Sequence, residues 1–140
     1  MVRLFLDTNI WVTYLTQRNE KEGRSINKLF GLIKLGKIIP YCSNIVFLEI
    51  FFVMVSLYKF EKSTVAEDIR KFLNLRNLVI VEKTNTRLAF EYLQKYGVKL
   101  ADAFIATQVP KKVVMVTSDK EFKKLKFLET AVPDEIIGMF

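Results

Sequence analysis

The chain contains no histidine, and that absence removes more chemistry than any single residue adds. Ser-His-Asp and Cys-His catalysis need an imidazole, and the usual zinc sites combine histidine with cysteine. Cysteine is nearly missing too: Cys42 stands alone, so no disulfide can close within the chain, which fits a reducing compartment. Cys42 follows Tyr41 and precedes an apolar segment, so it reads as a small core residue rather than a nucleophile. No Ser-, Gly- or Pro-rich tract is present, which argues against linkers and disorder. A membrane-length apolar run is also lacking. The longest, Ile45 to Tyr58, would span about 21 Å as a helix against the ~30 Å of a hydrocarbon core, and Glu49 interrupts it. Ahead of Asp7 there is one arginine and a three-residue apolar run, too short for a signal-peptide core, so a cytoplasmic protein is expected.

What is present describes one domain over residues 1–140, 51% apolar and long enough to bury about two thirds of its unfolded surface. No internal repeat is visible. Against 15 acidic side chains stand 22 basic ones, a net charge of +7. Such a surplus favours an anionic partner, nucleic acid or an acidic protein segment, although many basic proteins bind neither.

Apolar periodicity predicts alternating strands and helices. Val2 to Leu6 reads as a buried strand ending at Asp7. Thr8 and Asn9 are good N-caps, so a helix through Trp11, Tyr14 and Leu15 should begin directly after the acid. Residues 18–24 are polar and read as a loop. Ile26, Leu29, Phe30 and Ile33 mark a helix over Ser25–Leu35 stopped by Gly36. Residues 38–41 form a second strand, and Ser43 caps a helix apolar on nearly every side, which places it centrally. Ser63 should cap the next helix. Residues 78–81 form the third strand, Thr84–Tyr96 and Leu100–Val109 two helices, and Val113–Val116 the fourth strand. A short helix follows Asp119, Phe127–Val132 fits an edge strand, and Pro133 opens a last turn. The alternation implies an α/β fold with a mostly parallel sheet covered on both faces.

Most of the acids sit among lysines, polar residues or helix ends, where they are solvated. Four do not. Asp7 and Asp119 close apolar strands, Glu49 interrupts Val46-Phe47-Leu48 and Ile50-Phe51-Phe52, and Asp102 interrupts Leu100-Ala101 and Ala103-Phe104. Each has an ordinary explanation alone: Asp119 as a helix cap, Asp102 as a helix N-terminal acid, Glu49 as the partner of a buried arginine. Together they are harder to dismiss. In a parallel sheet, strand-end acids and acids in the early turns of buried helices can meet in one crevice. An unpaired buried carboxylate costs several kcal/mol, and no histidine is available to relieve it. A hard divalent cation, Mg²⁺ or Mn²⁺, takes oxygen ligands and is the natural counter-ion. Such ions activate water and stabilise charge on a phosphodiester, so an acidic pocket on a basic protein can cut a polyanion. Lys99, Lys111 and Lys120 read as surface charges that meet phosphates without selectivity.

The blocks Leu-Asp-Thr-Asn at 6–9, Ser43 with Glu49 six residues on, Leu-Ala-Asp-Ala-Phe-Ile-Ala at 100–106 and Thr-Ser-Asp-Lys-Glu-Phe at 117–122 resemble PIN-domain ribonucleases, and the chain length resembles the VapC toxins of toxin–antitoxin pairs. The resemblance covers nearly the whole chain. It implies a three-layer α/β/α domain, Mg²⁺- or Mn²⁺-dependent cleavage of RNA by metal-activated water, a small antitoxin that covers the cleft, and a homodimer. By position Asp7, Glu49, Asp102 and Asp119 match the metal-binding acids, while Thr8, Asn9 and Thr117 match polar groups that orient carboxylates. Glu121 stands where the family often has an aspartate, and is placed outside the direct ligands. Three alternatives stay open. A PIN nuclease of RNA processing or turnover, without an antitoxin, shares every motif. An aspartyl-phosphate phosphatase also begins from a strand-end aspartate but typically wants a second acid two residues later, where this chain has Asn9. A module that binds nucleic acid or protein without catalysis predicts no metal-dependent turnover.

Overall fold

The computed structural model describes residues 1–18 and 20–140. Its strands are β1 (Val2–Leu6), β2 (Ile38–Ser43), β3 (Val79–Val81), β4 (Val114–Val116) and β5 (Thr130–Ala131). Its helices are α1 (Thr8–Thr16), α2 (Glu20–Lys34), α3 (Asn44–Phe52), α4 (Lys62–Leu73), α5 (Thr86–Tyr96), α6 (Leu100–Gln108) and α7 (Pro133–Ile137). A π-helical turn, Val53–Leu57, extends α3, and a 3₁₀ turn, Lys120–Lys124, follows β4.

The strands form one sheet in the order β3-β2-β1-β4-β5, every adjacent pair parallel. Helices flank it in a three-layer α/β/α arrangement, as the alternating pattern requires. The chain leaves β1 toward β2 on one side and returns to β4 on the other. That reversal opens a crevice at the carboxyl ends of β1 and β4, where open α/β sheets place their sites. The register Leu4↔Val114, Phe5↔Met115, Leu6↔Val116 sets the two strand ends level, and Asp7 N–H donates to Val116 O at 3.1 Å.

Buried side chains hold this end of the sheet in place. Phe5, Leu6, Met115 and Val116 are inaccessible, as expected for strands covered on both faces. Trp11 on α1 is equally buried. Its Nε1 donates to Leu6 O at 3.0 Å, and its ring packs edge-on to Phe30 and Phe72 at centroid distances of 5.4 and 4.6 Å. Truncating such a residue costs about 3–5 kcal/mol. Trp11 thus fixes the first turn of α1, and with it Asp7, Thr8 and Asn9.

Several elements depart from the sequence expectations. Much of the predicted 18–24 loop is helix, since α2 begins at Glu20; Asn19 lies outside the described residues. Glu20 and Glu22 in its first turn face the positive end of the helix dipole. The cap of α1 is Asp7 itself, whose side chain accepts from Thr8 N–H, rather than Thr8 or Asn9. Ser63 does not cap α4, which starts at Lys62 behind Glu61. Ser43 does cap α3, accepting from Val46 N–H at 3.1 Å.

The largest departure is α3, which is not buried all round. Only Val46 and Ile50 are buried, whereas Leu48 and Phe52 are 65% and 60% exposed. One face packs against the domain, and among the described residues no layer covers the other. The expected edge strand shortens to Thr130–Ala131, and a two-residue edge offers little template for further pairing.

Candidate functional site

A cleft of about 310 Å³ opens at the carboxyl ends of β1 and β4, and Asp7, Glu49, Asp102 and Asp119 all line it. The four acids come from four places in the chain. Asp7 follows β1, Glu49 lies on α3, Asp102 sits in the first turn of α6, and Asp119 precedes the 3₁₀ turn. Buried α3 and α6 residues such as Ile50 and Ala103 anchor those helices and bring their acids to the crevice.

Asp7 is the most constrained. Its Oδ1 accepts from Thr8 N–H at 2.8 Å, and its Oδ2 accepts from Asn9 Nδ2 at 2.8 Å and Thr117 Oγ1 at 2.7 Å. Asn9 Oδ1 in turn accepts from Ser118 N–H at 3.1 Å, and Thr117 Oγ1 accepts from Asp119 N–H at 3.0 Å. The loop after β4 is thereby tied to the first turn of α1. Thr8 donates its hydroxyl to Glu49 Oε1 at 2.8 Å. Glu49 therefore has a neutral partner there, and the arginine envisaged for it is not the contact seen. Asp119 does cap its turn, accepting from Glu121 N–H at 2.9 Å, while also facing the cleft.

Asp102 differs: its Oδ2 is buried and has no hydrogen-bond partner. Burial, followed by the charges of Asp7, Asp119 and Glu49, pushes its carboxyl up to about 7, with Lys99 opposing. Burial likewise raises Asp7 to about 6 although Thr117 and Thr8 stabilise its charge, and Glu49 and Asp119 add to the rise. The four acids form one electrostatic unit that holds more negative charge than its surroundings offset.

They do not form a finished ligand set. Among the described residues, no three ligating side chains are placed to hold an ion together. That outcome has a physical cause: like charges repel, and Asp7, Glu49 and Asp119 each turn an oxygen to a neutral donor. The donor set itself is all carboxylate and hydroxyl oxygen, which suits Mg²⁺ or Mn²⁺. Mg²⁺ commonly takes only one or two protein carboxylates and keeps several waters, so an unpartnered Asp102 Oδ2 beside three more acids fits such an ion.

The remaining predicted residues separate. Lys99 lines the cleft. Lys111 precedes β4 and so belongs to the opposite, amino-terminal rim of the sheet. Glu121 supports Asp119 through its backbone, while its carboxylate pairs with Lys124 Nζ at 2.8 Å and is held below the usual range by that partner. Cys42 is buried and its thiol pushed upward by burial, as a core residue should be. Sequence reasoning missed Thr13, Val53 and Tyr58 on the cleft wall. It also missed Arg18, whose guanidinium lies 4.4 Å over the Tyr58 ring. The π turn places Val53 and Tyr58 there, and no sequence signal marks such a turn.

The family model described as PIN domain matches residues 4–128. No curated protein sequence matches the chain. Among solved structures, the chain is similar to VapBC2 of Rickettsia felis bound to a promoter DNA fragment, with TM-score 0.68, 21% identity, and coverage of 94% of this chain and 98% of that one. It is similar to DNA-bound VapBC of Salmonella typhimurium, with TM-score 0.69, 18% identity and coverage of 95% and 99%. A toxin–antitoxin complex from Klebsiella pneumoniae gives TM-score 0.61, 18% identity and coverage of 93% and 97%.

Proposed function

The chain belongs to the PIN-domain family, and from that premise we propose that it is a Mg²⁺- or Mn²⁺-dependent endoribonuclease, the toxin of a toxin–antitoxin pair. The observation that carries the reading is the cleft itself: four carboxylates converge at the sheet's reversal point, and one, Asp102, keeps a buried oxygen without a partner. The +7 charge supports a polyanionic substrate. Similarity to VapBC and toxin–antitoxin complexes supports an antitoxin.

Asp7, Asp102 and Asp119 are the carboxylates that would hold the cation, one or two of them directly and the rest through its waters, and Glu49 would bind it or one of its waters. When bound, a divalent ion supplies an activated water and offsets charge on the phosphodiester. Every other contribution comes from the chain. Asn9 and Thr117 fix Asp7 through donors to Oδ2, and Thr8 fixes Glu49 Oε1; such orienting groups commonly change metal affinity or activity by about 10–100-fold. Lys99 and Arg18 place positive charge near the cleft, where the substrate backbone enters. With no imidazole in the chain, no histidine serves as general base.

The α3 and π-turn segment supports the antitoxin part. Leu48, Phe52 and Leu57 are exposed at intervals of four and five residues, the wider interval matching the wider π turn. Glu49, Val53 and Tyr58 of the same segment line the cleft. A partner seated on that apolar stripe lies beside the catalytic opening. The exposed apolar area also suits a homodimer. No helix among the described residues is long and apolar enough to cross a membrane, and a cytoplasmic location belongs to the same proposal.

The test is incubation of purified protein with single-stranded and structured RNA, with and without Mn²⁺ or Mg²⁺, beside Asp7→Asn. Metal-dependent cleavage lost in the variant supports the reading; equal cleavage by both proteins overturns it. Co-purification of a small partner that silences the activity supports the toxin role. An active nuclease recovered without any partner points to RNA processing or turnover.

A further inference from the structure

The 3₁₀ turn after β4 sorts its side chains into rows, because positions three apart eclipse in this helix. Phe122 and Leu125 form the buried row. Glu121 and Lys124 form a second, closed as an ion pair at 2.8 Å. Lys120 and Lys123 form the third, and neither lysine has an ion-pair partner among the described residues. Both line a second cavity of about 210 Å³, together with Ser118, Asp119, Thr130 and Glu135. Ser118 Oγ there is buried and makes no hydrogen bond. Glu135 caps the neighbouring turn from the cavity wall, its Oε1 accepting from Val132 N–H at 3.3 Å. Asp119 is the shared wall, lining this cavity and the acidic cleft alike.

We propose that this cavity is a phosphate subsite that seats an RNA backbone phosphate neighbouring the one cleaved. The inference rests on the nuclease reading above. A chain whose scissile phosphate lies at the four acids must continue past Asp119, and the next surface it meets carries the exposed Lys120 and Lys123 ammonium groups with Thr130, flanked by the carboxylates of Asp119 and Glu135. Lysine serves phosphate as a point charge without demanding one geometry, so the subsite sets register along the strand and not sequence preference.

The test is fluorescence anisotropy of a labelled 12-nucleotide single-stranded RNA bound to full-length Asp102→Asn protein, so that the probe stays intact, titrated at several salt concentrations. Lys120→Ala/Lys123→Ala in that background is compared with Lys37→Ala/Lys111→Ala, which removes equal charge ahead of β2 and β4 at the opposite rim. Each single-strand phosphate contact contributes about 0.7 to the slope of log affinity against log salt, so the first pair, which shares one phosphate, should lower its magnitude by about 0.7 and the second should leave it nearly unchanged. Equal slopes for the two pairs, with RNA still bound, overturn the subsite and leave the nuclease reading standing. Absence of RNA binding by protein carrying all four lysines overturns both. All four lysines are exposed, and matched thermal midpoints confirm that each variant folds.

Discussion

At the end of β1, Asp7 engages both carboxylate oxygens with donors from its own surroundings, whereas Asp102 on α6 leaves Oδ2 buried with none. Burial raises both, to about 6 for Asp7 and about 7 for Asp102. The difference teaches which part of the cleft is built and which is held in reserve. The β1–β4 junction supplies a rigid, hydrogen-bonded acid whose position the sheet register dictates. The first turn of α6 supplies an acid whose desolvation nothing in the chain compensates. A divalent ion gains most where the protein has given least, so Asp102 is the site's point of greatest electrostatic demand.

The largest effects should come from breaking either side of this pair. Asp7→Asn and Asp102→Asn should each reduce RNA cleavage by about 10²–10³-fold, the scale set by losing one preorganised electrostatic contact at the reacting centre. Their effects on stability should be opposite in sign. An asparagine at 7 turns an amide toward the donors of Asn9, Thr8 and Thr117, and should cost roughly 1–3 kcal/mol. An asparagine at 102 removes an uncompensated buried charge and should stabilise the metal-free protein at pH 8. Denaturant unfolding of the two variants measures this; loss of stability in both would erase the contrast.

Next in size is the dependence of stability on pH. An unfolded aspartate titrates near ~3.9, so between that value and the raised native values the folded state binds protons that the unfolded state has released. The contribution of Asp7 and Asp102 is therefore fully present below about pH 4 and is lost as pH rises through 6 to 7. In chelator, stability should fall by on the order of 2 kcal/mol from pH 5 to 8. Mg²⁺ or Mn²⁺ should restore much of it at pH 8, and Asp102→Asn should flatten the profile. Thermal midpoints across that range with and without metal provide the readout, and a profile that rises toward pH 8 in chelator contradicts the assignment.

A smaller change should follow from Thr117→Val, which deletes the hydroxyl shared by Asp7, Asn9 and Asp119. It should lower stability by about 1 kcal/mol and cleavage by about 10-fold, with Asp102 untouched. Smallest of all is Glu121→Gln. The Glu121 carboxylate pairs with Lys124 outside the cleft lining, and exposed pairs of this kind contribute little, so activity should stay within about twofold of the parent.

The site was more legible in the sequence than the segments around it. Glu49 and Asp102 stand out because each breaks an apolar run, and Asp7 and Asp119 because each closes an apolar strand, and burial makes an acid at such a place costly enough to need a reason. The strand–helix alternation likewise gave the parallel sheet, since hydrophobic periodicity reports which face is covered. Periodicity is silent where the covering layer is missing. The all-round apolar pattern of α3 looked like a buried helix, yet Leu48 and Phe52 face outward, and no described residue covers them. Arg18 and Tyr58 escaped notice because their place beside the cleft depends on a π turn and on tertiary contact. Convergence of the four acids was anticipated, but their closure into one ligand set was not realised, because hydrogen bonds to Thr8, Asn9 and Thr117 satisfy individual carboxylates first.

Calorimetric titration of Mn²⁺ into the metal-free protein at pH 7.5, in parallel with Asp102→Asn, probes the cleft most directly. Saturable binding with release of protons, weakened at least tenfold in the variant, is the outcome expected of a carboxyl that gives up its proton to an ion. Absence of binding, or an isotherm indifferent to residue 102, would contradict it.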